Sequence, residues 1–243
     1  MTILPNFTEA TLDAVDRALV AESQKQKPRT YLGFSEIGEQ CERRLWYRIN
    51  QYPRLPFDAA SLRRFEDGHL GEALMAKRLR MVEGIELHTA GDDGEQFGFS
   101  DLNGMFRGHM DGAIKGILEA PQTWHVWEHK QTDEKKMNDL RKLKNDKGEK
   151  NALEQWDFTY YCQAVLYMHY SGMRRHYLTV SSAGGRAYTS CRTDENNKLA
   201  FSLREKAERI IASPSEPARI NENPSFYKCK FCEFRNVCHG VTQ

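Results

Sequence analysis

Glu128 and Lys130 stand two residues apart in the run Trp124-His-Val-Trp-Glu-His-Lys130. In a β-strand alternate side chains share a face, so Trp124, Val126, Glu128 and Lys130 line one side while His125, Trp127 and His129 line the other. A carboxylate beside an ammonium is, taken alone, an ordinary ion pair. Asp111 closes the run Gly108-His-Met-Asp111 at the end of another strand-like stretch, and a second carboxylate there could complete an oxygen-ligand site for a hard cation with Glu128. Three more residues stand out against apolar helical patterns: His69 in one, Gln163 and Tyr167 in another. A lone histidine on an apolar stripe reads first as a hydrogen-bonded core residue, and aromatics at helical spacing read first as core.

The cysteines are the second chemical signal. Cys229-Lys-Phe-Cys232 and Cys238 offer three thiolates from one short C-terminal segment, Cys41 stands far upstream, and Cys162 and Cys191 sit alone. The N-terminus lacks the basic start and apolar run of a signal peptide, and no stretch approaches the ~20 apolar residues that span a bilayer. The expectation is a soluble, cytoplasmic protein whose cysteines are thiols or metal ligands and not a disulfide framework. Four cysteines suit tetrahedral Zn²⁺, with His239 as a stray ligand, as well as they suit an iron-sulfur cluster.

Positioning these groups takes a mixture of elements. Helical spacing over Thr8 to about Ser23, with Thr8 as N-cap, gives a packing helix. Ser35 is expected to cap a helix through Cys41-Glu-Arg-Arg-Leu-Trp-Tyr-Arg48. A long helix from about Ala59 to Val82 places Leu62, Phe65, His69, Ala73 and Ala76 on one face, which points His69 inward. Strands at 85–89, 96–100 and 105–114 form an antiparallel meander that presents Asp111. The charged stretch 131–150 reads as a mobile, solvated loop with room for a phosphate-contacting flap. One helix over Ala152 to Ser171, strands at 176–182 and 187–192, and a helix from Asp194 to Ile211 lead to the cysteine-rich tail. The chain thus reads as one domain, with N-terminal helices carrying Cys41 (1–58), a core (59–212) and a cluster segment (213–243).

Composition bounds the partners. With 40% hydrophobic residues the chain can bury a core, and 35 Lys and Arg against 34 Asp and Glu leave no global field to attract nucleic acid, so DNA would be held by a local basic patch. No G-x-x-x-x-G-K-[ST] loop occurs, so no nucleotide-driven motor of that type is encoded.

In order and element type the polar residues resemble the RecB-type branch of the PD-(D/E)XK nuclease superfamily: His69 on a helix, Gly108-His-Met-Asp111 ending a strand, Glu128-His-Lys130 on the next, and Gln163-Ala-Val-Leu-Tyr167 on the following helix. The resemblance implies an α/β fold, a restriction-endonuclease-like core with a central mixed sheet flanked by helices. It implies Mg²⁺ or Mn²⁺ held by His69, Asp111, Glu128 and the backbone carbonyl of His129. Lys130 would orient water or stabilise the transition state, and Gln163 and Tyr167 would contact the substrate strand or brace the site. Two such ions bridge attacking and leaving oxygens in phosphodiester hydrolysis, and an imidazole ligand favours Mn²⁺.

One upstream cysteine with a C-terminal C-x-x-C-x5-C resembles the iron-sulfur subset of that branch, including the CRISPR-adaptation exonucleases and the AddB nuclease domain. This implies a [4Fe-4S] cluster on Cys41, Cys229, Cys232 and Cys238 that staples the chain ends, with Zn²⁺ as the alternative. The implied activity is exonucleolytic cleavage of single-stranded DNA or duplex ends in recombination, repair, phage DNA processing or CRISPR adaptation, alongside protein partners in those processes. The alternative is a catalytically weak DNA-binding or assembly subunit. The charged insert after Lys130 is longer than the family pattern requires.

Overall fold

The computed structural model describes residues 9–241; Thr8, expected to cap the first helix, lies outside them. In chain order the elements are α1 (Ala10–Gln24), β1 (Leu32–Gly33), α2 (Glu42–Ile49), α3 (Ala59–Leu79), β2 (Glu86–His88), β3 (Gly98–Asp101), β4 (Phe106–His109), β5 (Gly112–Lys115) and β6 (His125–Thr132). There follow α4 (Glu134–Lys147), α5 (Glu149–Trp156), α6 (Phe158–Ser171), β7 (Arg175–Ser182), β8 (Tyr188–Asp194), α7 (Asn197–Ala212), α8 (Tyr227–Lys230) and α9 (Arg235–His239).

The central sheet runs β2-β5-β6-β7-β8, antiparallel except for the parallel β6–β7 pair, so it is mixed. Parallel neighbours need a crossover, which α4, α5 and α6 supply. Alternation along β6 sorts its faces as the sequence predicts. Val126 packs into the main core with Leu166, Leu178 and Val180, whereas Trp127 packs with Met75 of α3, Ile114 and Tyr177. Buried without a break from Tyr161 to Met168, α6 lies against the Val126 face. No helix among the described residues is long and apolar enough to cross a membrane.

Several local expectations give way to tertiary structure. The run predicted as one strand over 105–114 is two, because β4 belongs to a second, three-stranded sheet (β1-β4-β3) and β5 to the central one. Asp111 sits at the crossing point between them. The charged stretch 131–150 is not a mobile loop: it finishes β6 and forms α4. Asp133 caps that helix by accepting from Lys136 N at 2.7 Å, and Met137 and Leu140 are buried beneath it. Two buried residues in fourteen make too thin a stripe to emerge from so many charges.

The helix expected over Ala152 to Ser171 breaks at Asp157, whose extended backbone (φ −155°, ψ 101°) frees its carboxylate to accept from Thr159 N and Tyr160 N and start α6. Ser35 caps nothing. Residues 34–38 form turns instead, and Gly38 lies so close to α6 that a Cβ there would sit 2.6 Å from Thr159 Cα.

Helix α2 meets the C-terminal segment. Trp46 Nε1 donates to Ser213 O at 3.0 Å, and the Tyr47 and Phe234 rings pack 5.5 Å apart between centroids. Glu233 receives both Arg44 and Arg48, which holds its carboxyl below the usual range against the opposing effect of burial.

Candidate active site and cysteine cavity

The antiparallel β5–β6 pairing aligns Gly112 with Trp127, which brings Asp111 beside Glu128. The two residues interlock: His129 N donates to Asp111 Oδ2 at 2.8 Å, and Asp111 N donates to Glu128 Oε1 at 3.2 Å. The other oxygen of Glu128 accepts from Lys130 Nζ at 3.0 Å and from Gln163 Nε2 at 3.1 Å. Gln163 Nε2 lies 3.3 Å from the Tyr167 hydroxyl, which donates to His109 O at 2.6 Å. Spaced by one helical turn, Gln163 and Tyr167 therefore tie α6 to β6 and to the end of β4.

Glu128 is 2% exposed and Asp111 9%. Burial, then the neighbouring Asp111, pushes the Glu128 carboxyl up to about 8, and burial also raises Asp111 against the pull of Lys130. Burial opposes the Lys130 charge, but Glu128 and Asp111 outweigh it and raise its pKa. The His129 imidazole is turned away from the carboxylates, with ring nitrogens 3.0 Å from Thr179 Oγ1 and 3.1 Å from Ser181 Oγ.

On α3 the structure corrects the expected phase. His69 does not point inward; it is exposed, as is Phe65, and the buried residues are Gly71, Met75 and Ala76. The N-terminal half of α3 lies against α1, none of whose residues is buried, so Phe65 stays exposed and Leu62 is only partly covered. The approach to the sheet begins at Gly71, where a Cβ would meet Gln131 Oε1 at 2.2 Å and His129 Nε2 at 3.4 Å. One residue on, Glu72 is half-buried, and burial followed by the Asp111 charge raises its carboxyl to about 7. The His69 charge still reaches Asp111.

Glu72 is the residue that sequence reasoning missed. A glutamate on a helix reads as solvated, and the available signal was its spacing of three from His69. With all three carboxylates ionised, Glu72, Asp111 and Glu128 against Lys130 leave two negative charges uncompensated. Such a deficit in a buried site is costly unless a cation enters.

Gly108 explains the first position of the Gly-His-Met-Asp run. A Cβ there would lie 2.5 to 2.8 Å from three side-chain atoms of Phe34, a fully buried ring packed on Phe106 and Tyr170. Gly108→Ala is expected to cost about 1 to 3 kcal/mol, read as a lower urea midpoint, and to disturb Asp111 three residues on.

The four cysteines predicted as a set do surround one cavity, of about 330 Å³, between α2 and the C-terminal segment; Arg43, Arg44 and Arg219 also line it. Burial and then the Cys41 and Cys238 charges raise the Cys229 thiol; burial foremost pushes Cys232 up to about 11. Cys162 and Cys191 are buried elsewhere. Among the described residues, no three His, Cys, Asp or Glu side chains are drawn together into a group able to hold a metal ion as they stand. At the carboxylates the reason is visible, since Asp111 and Glu128 are turned onto protein donors.

No family model and no curated protein matches this chain. Solved structures do share its fold. The crystal structure of SSO0001 superposes with a TM-score of 0.51 at 14% identity, covering 97% of this chain and 100% of that one. An alkaline exonuclease from Laribacter hongkongensis gives 0.51 at 12% identity, over 81% of this chain and 91% of that one. Its complex with dAMP gives 0.51 at 12%, over 82% and 91%.

Proposed function

We propose that this chain is a metal-dependent deoxyribonuclease acting as an exonuclease on single-stranded DNA or duplex ends. The observation that carries the reading is the buried pair Asp111 and Glu128 beside Lys130, braced by Gln163 and Tyr167, with half-buried Glu72 within reach of the Asp111 charge; ionised, the three carboxylates are short of two positive charges. Its fold, shared with an alkaline exonuclease, supports the same reading. Asp111, Glu128 and Glu72 would hold Mg²⁺ or Mn²⁺, which supplies Lewis-acid activation of water and of the scissile phosphate. With Glu72 in place of an inward His69 the side-chain donors are all oxygen, and that set suits either ion. Lys130 stands where it can stabilise negative charge developing on the phosphate. Gln163 and Tyr167 fix the Glu128 carboxylate so that it meets the cation in one orientation.

For the cysteine cavity we favour an iron-sulfur cluster over zinc. A single Zn²⁺ draws four sulfurs to ~2.3 Å from one point, whereas here the thiols line the walls of a space of about 330 Å³. Its arginine wall suits the net negative charge of a cluster held by four thiolates. Bound there, a [4Fe-4S] cluster supplies a cross-link between α2 and the C-terminal segment.

The test is cleavage of 5′- and 3′-labelled single and double strands with Mn²⁺ or Mg²⁺. Glu72→Gln is expected to lower the rate about 10²-fold or more, and His69→Gln much less; equal rates for parent and Glu72→Gln would remove Glu72 from the site. Acidity gives a second reading. Glu128, near 8, and Glu72, near 7, must lose protons before binding a cation, so Mn²⁺ affinity and cleavage rise from pH 6 to pH 9 with proton release. In metal-free protein the sign reverses. These carboxyls bind protons more tightly folded than unfolded, so their contribution to stability falls as pH rises from 4.5, the ordinary glutamate value, through 8. Added Mn²⁺ should therefore raise Tm more at pH 9 than at pH 6, as calorimetry would show.

A further inference from the structure

Among the described residues, Cys238 is the cavity thiol that receives a charged side-chain N–H, whereas Cys232 has the backbone N–H of Phe234 and the charge of Arg44 beside it. Arg43, whose side chain is 13% exposed, directs Nη1 at Cys238 Sγ from 3.9 Å. The same guanidinium donates from Nε to Pro217 O at 2.5 Å and lies 3.4 Å from Glu216, so it is held in place from two sides. Arg219 adds two donors, Nε and Nη2, to the carbonyl of Cys238 at 3.0 and 2.7 Å. At Cys229, by contrast, the thiol lies 4.0 Å from the neutral Asn221 carbonyl.

A cationic N–H on a thiolate draws off negative charge. A cluster held by four thiolates is an anion, and one-electron reduction makes it more so, hence hydrogen bonds and positive charge at the sulfurs favour the reduced form. We propose that Arg43, through its charged N–H aimed at the Cys238 sulfur, sets the reduction potential of a cluster bound in this cavity. This rests on the cluster reading above and adds to its cross-linking role a redox-poised corner at Cys238. If Arg43 only ties α2 to the segment around Pro217, its loss lowers stability and leaves the potential unchanged.

The experiment uses the full chain, purified without oxygen and reconstituted with ferrous iron and sulfide. Stepwise reduction by dithionite through mediator dyes is followed by visible absorption and electron paramagnetic resonance. Arg43→Gln is expected to hold iron and sulfide at the parent ratio. At the poise where the parent is half reduced, its reduced-to-oxidised ratio should be roughly tenfold lower, equal to about 59 mV for one electron.

Arg43→Lys keeps the charge but loses the planar fork, so it is expected between the two, and it serves as the measure if Arg43→Gln does not fold. Arg219→Gln, acting on the carbonyl, is expected to shift the ratio less than Arg43→Gln. Iron-loaded Arg43 variants with the parent potential overturn the proposal. A parent that takes up zinc and no iron overturns the cluster reading itself, and the absence of iron in the parent distinguishes that failure from the first.

Discussion

Asp111→Asn is expected to lower cleavage about 10³-fold while raising the thermal stability of the metal-free protein. The amide retains an oxygen to accept from His129 N, which Asp111 Oδ2 now does at 2.8 Å, so the β5–β6 register survives. What it removes is one negative charge from a pair buried side by side, whose mutual repulsion helps lift Glu128 to about 8. One unit of such a shift corresponds to about 1.4 kcal/mol, and relief of that order raises Tm by about 3 to 6 °C in a domain of this size.

Neighbouring substitutions act in the opposite direction on stability. Glu128→Gln also stops cleavage, but it takes from Lys130 the carboxylate at 3.0 Å and brings no gain. Lys130→Ala leaves the carboxylates unbalanced and costs about 3 kcal/mol or more. Calorimetry beside a labelled-strand assay separates these cases. Parent-level cleavage by Asp111→Asn would sink the catalytic assignment.

The second large effect is expected at Cys41→Ser. Three thiolates remain, cluster iron falls to a small fraction of the parent's as measured by elemental analysis, and the C-terminal segment loses its cross-link to α2. The ion pairs of Glu233 with Arg44 and Arg48 and the Trp46 to Ser213 bond still hold it, so the central sheet stays folded. Local opening should be confined to residues after α7, which hydrogen exchange or limited proteolysis would show. A Cys162→Ser control, at a buried thiol away from the cavity, should keep its iron. Full iron content in Cys41→Ser would rule Cys41 out as a ligand.

By itself the sequence determined the residues whose neighbours are local. Alternation along Trp124 to Lys130 decided which side chains face α6 and which face α3, because strand periodicity is a property of the backbone. The spacing of Gln163 and Tyr167 put both on one side of α6 for the same kind of reason. The order Asp111, Glu128-x-Lys130, Gln163-x-x-x-Tyr167 was legible as a set, and the structure brings all five together. The cysteine spacing was legible too, and the four thiols surround one cavity.

Tertiary structure alone decided the rest. That Asp111 stands where the chain passes from one sheet to the other depends on β4 pairing with β1 and β3, partners distant along the chain. Whether 131–150 was loop or helix depended on a surface into which Met137 and Leu140 could sink. The inward residue of α3 depended on helical phase, and that phase was ambiguous because none of the apolar residues of its first half is buried beside α1. A single close approach at Gly71 resolved it, leaving Glu72 half-buried within reach of the Asp111 charge and His69 exposed. Such an approach depends on the missing Cβ meeting a particular strand, a relation between distant residues that periodicity does not carry.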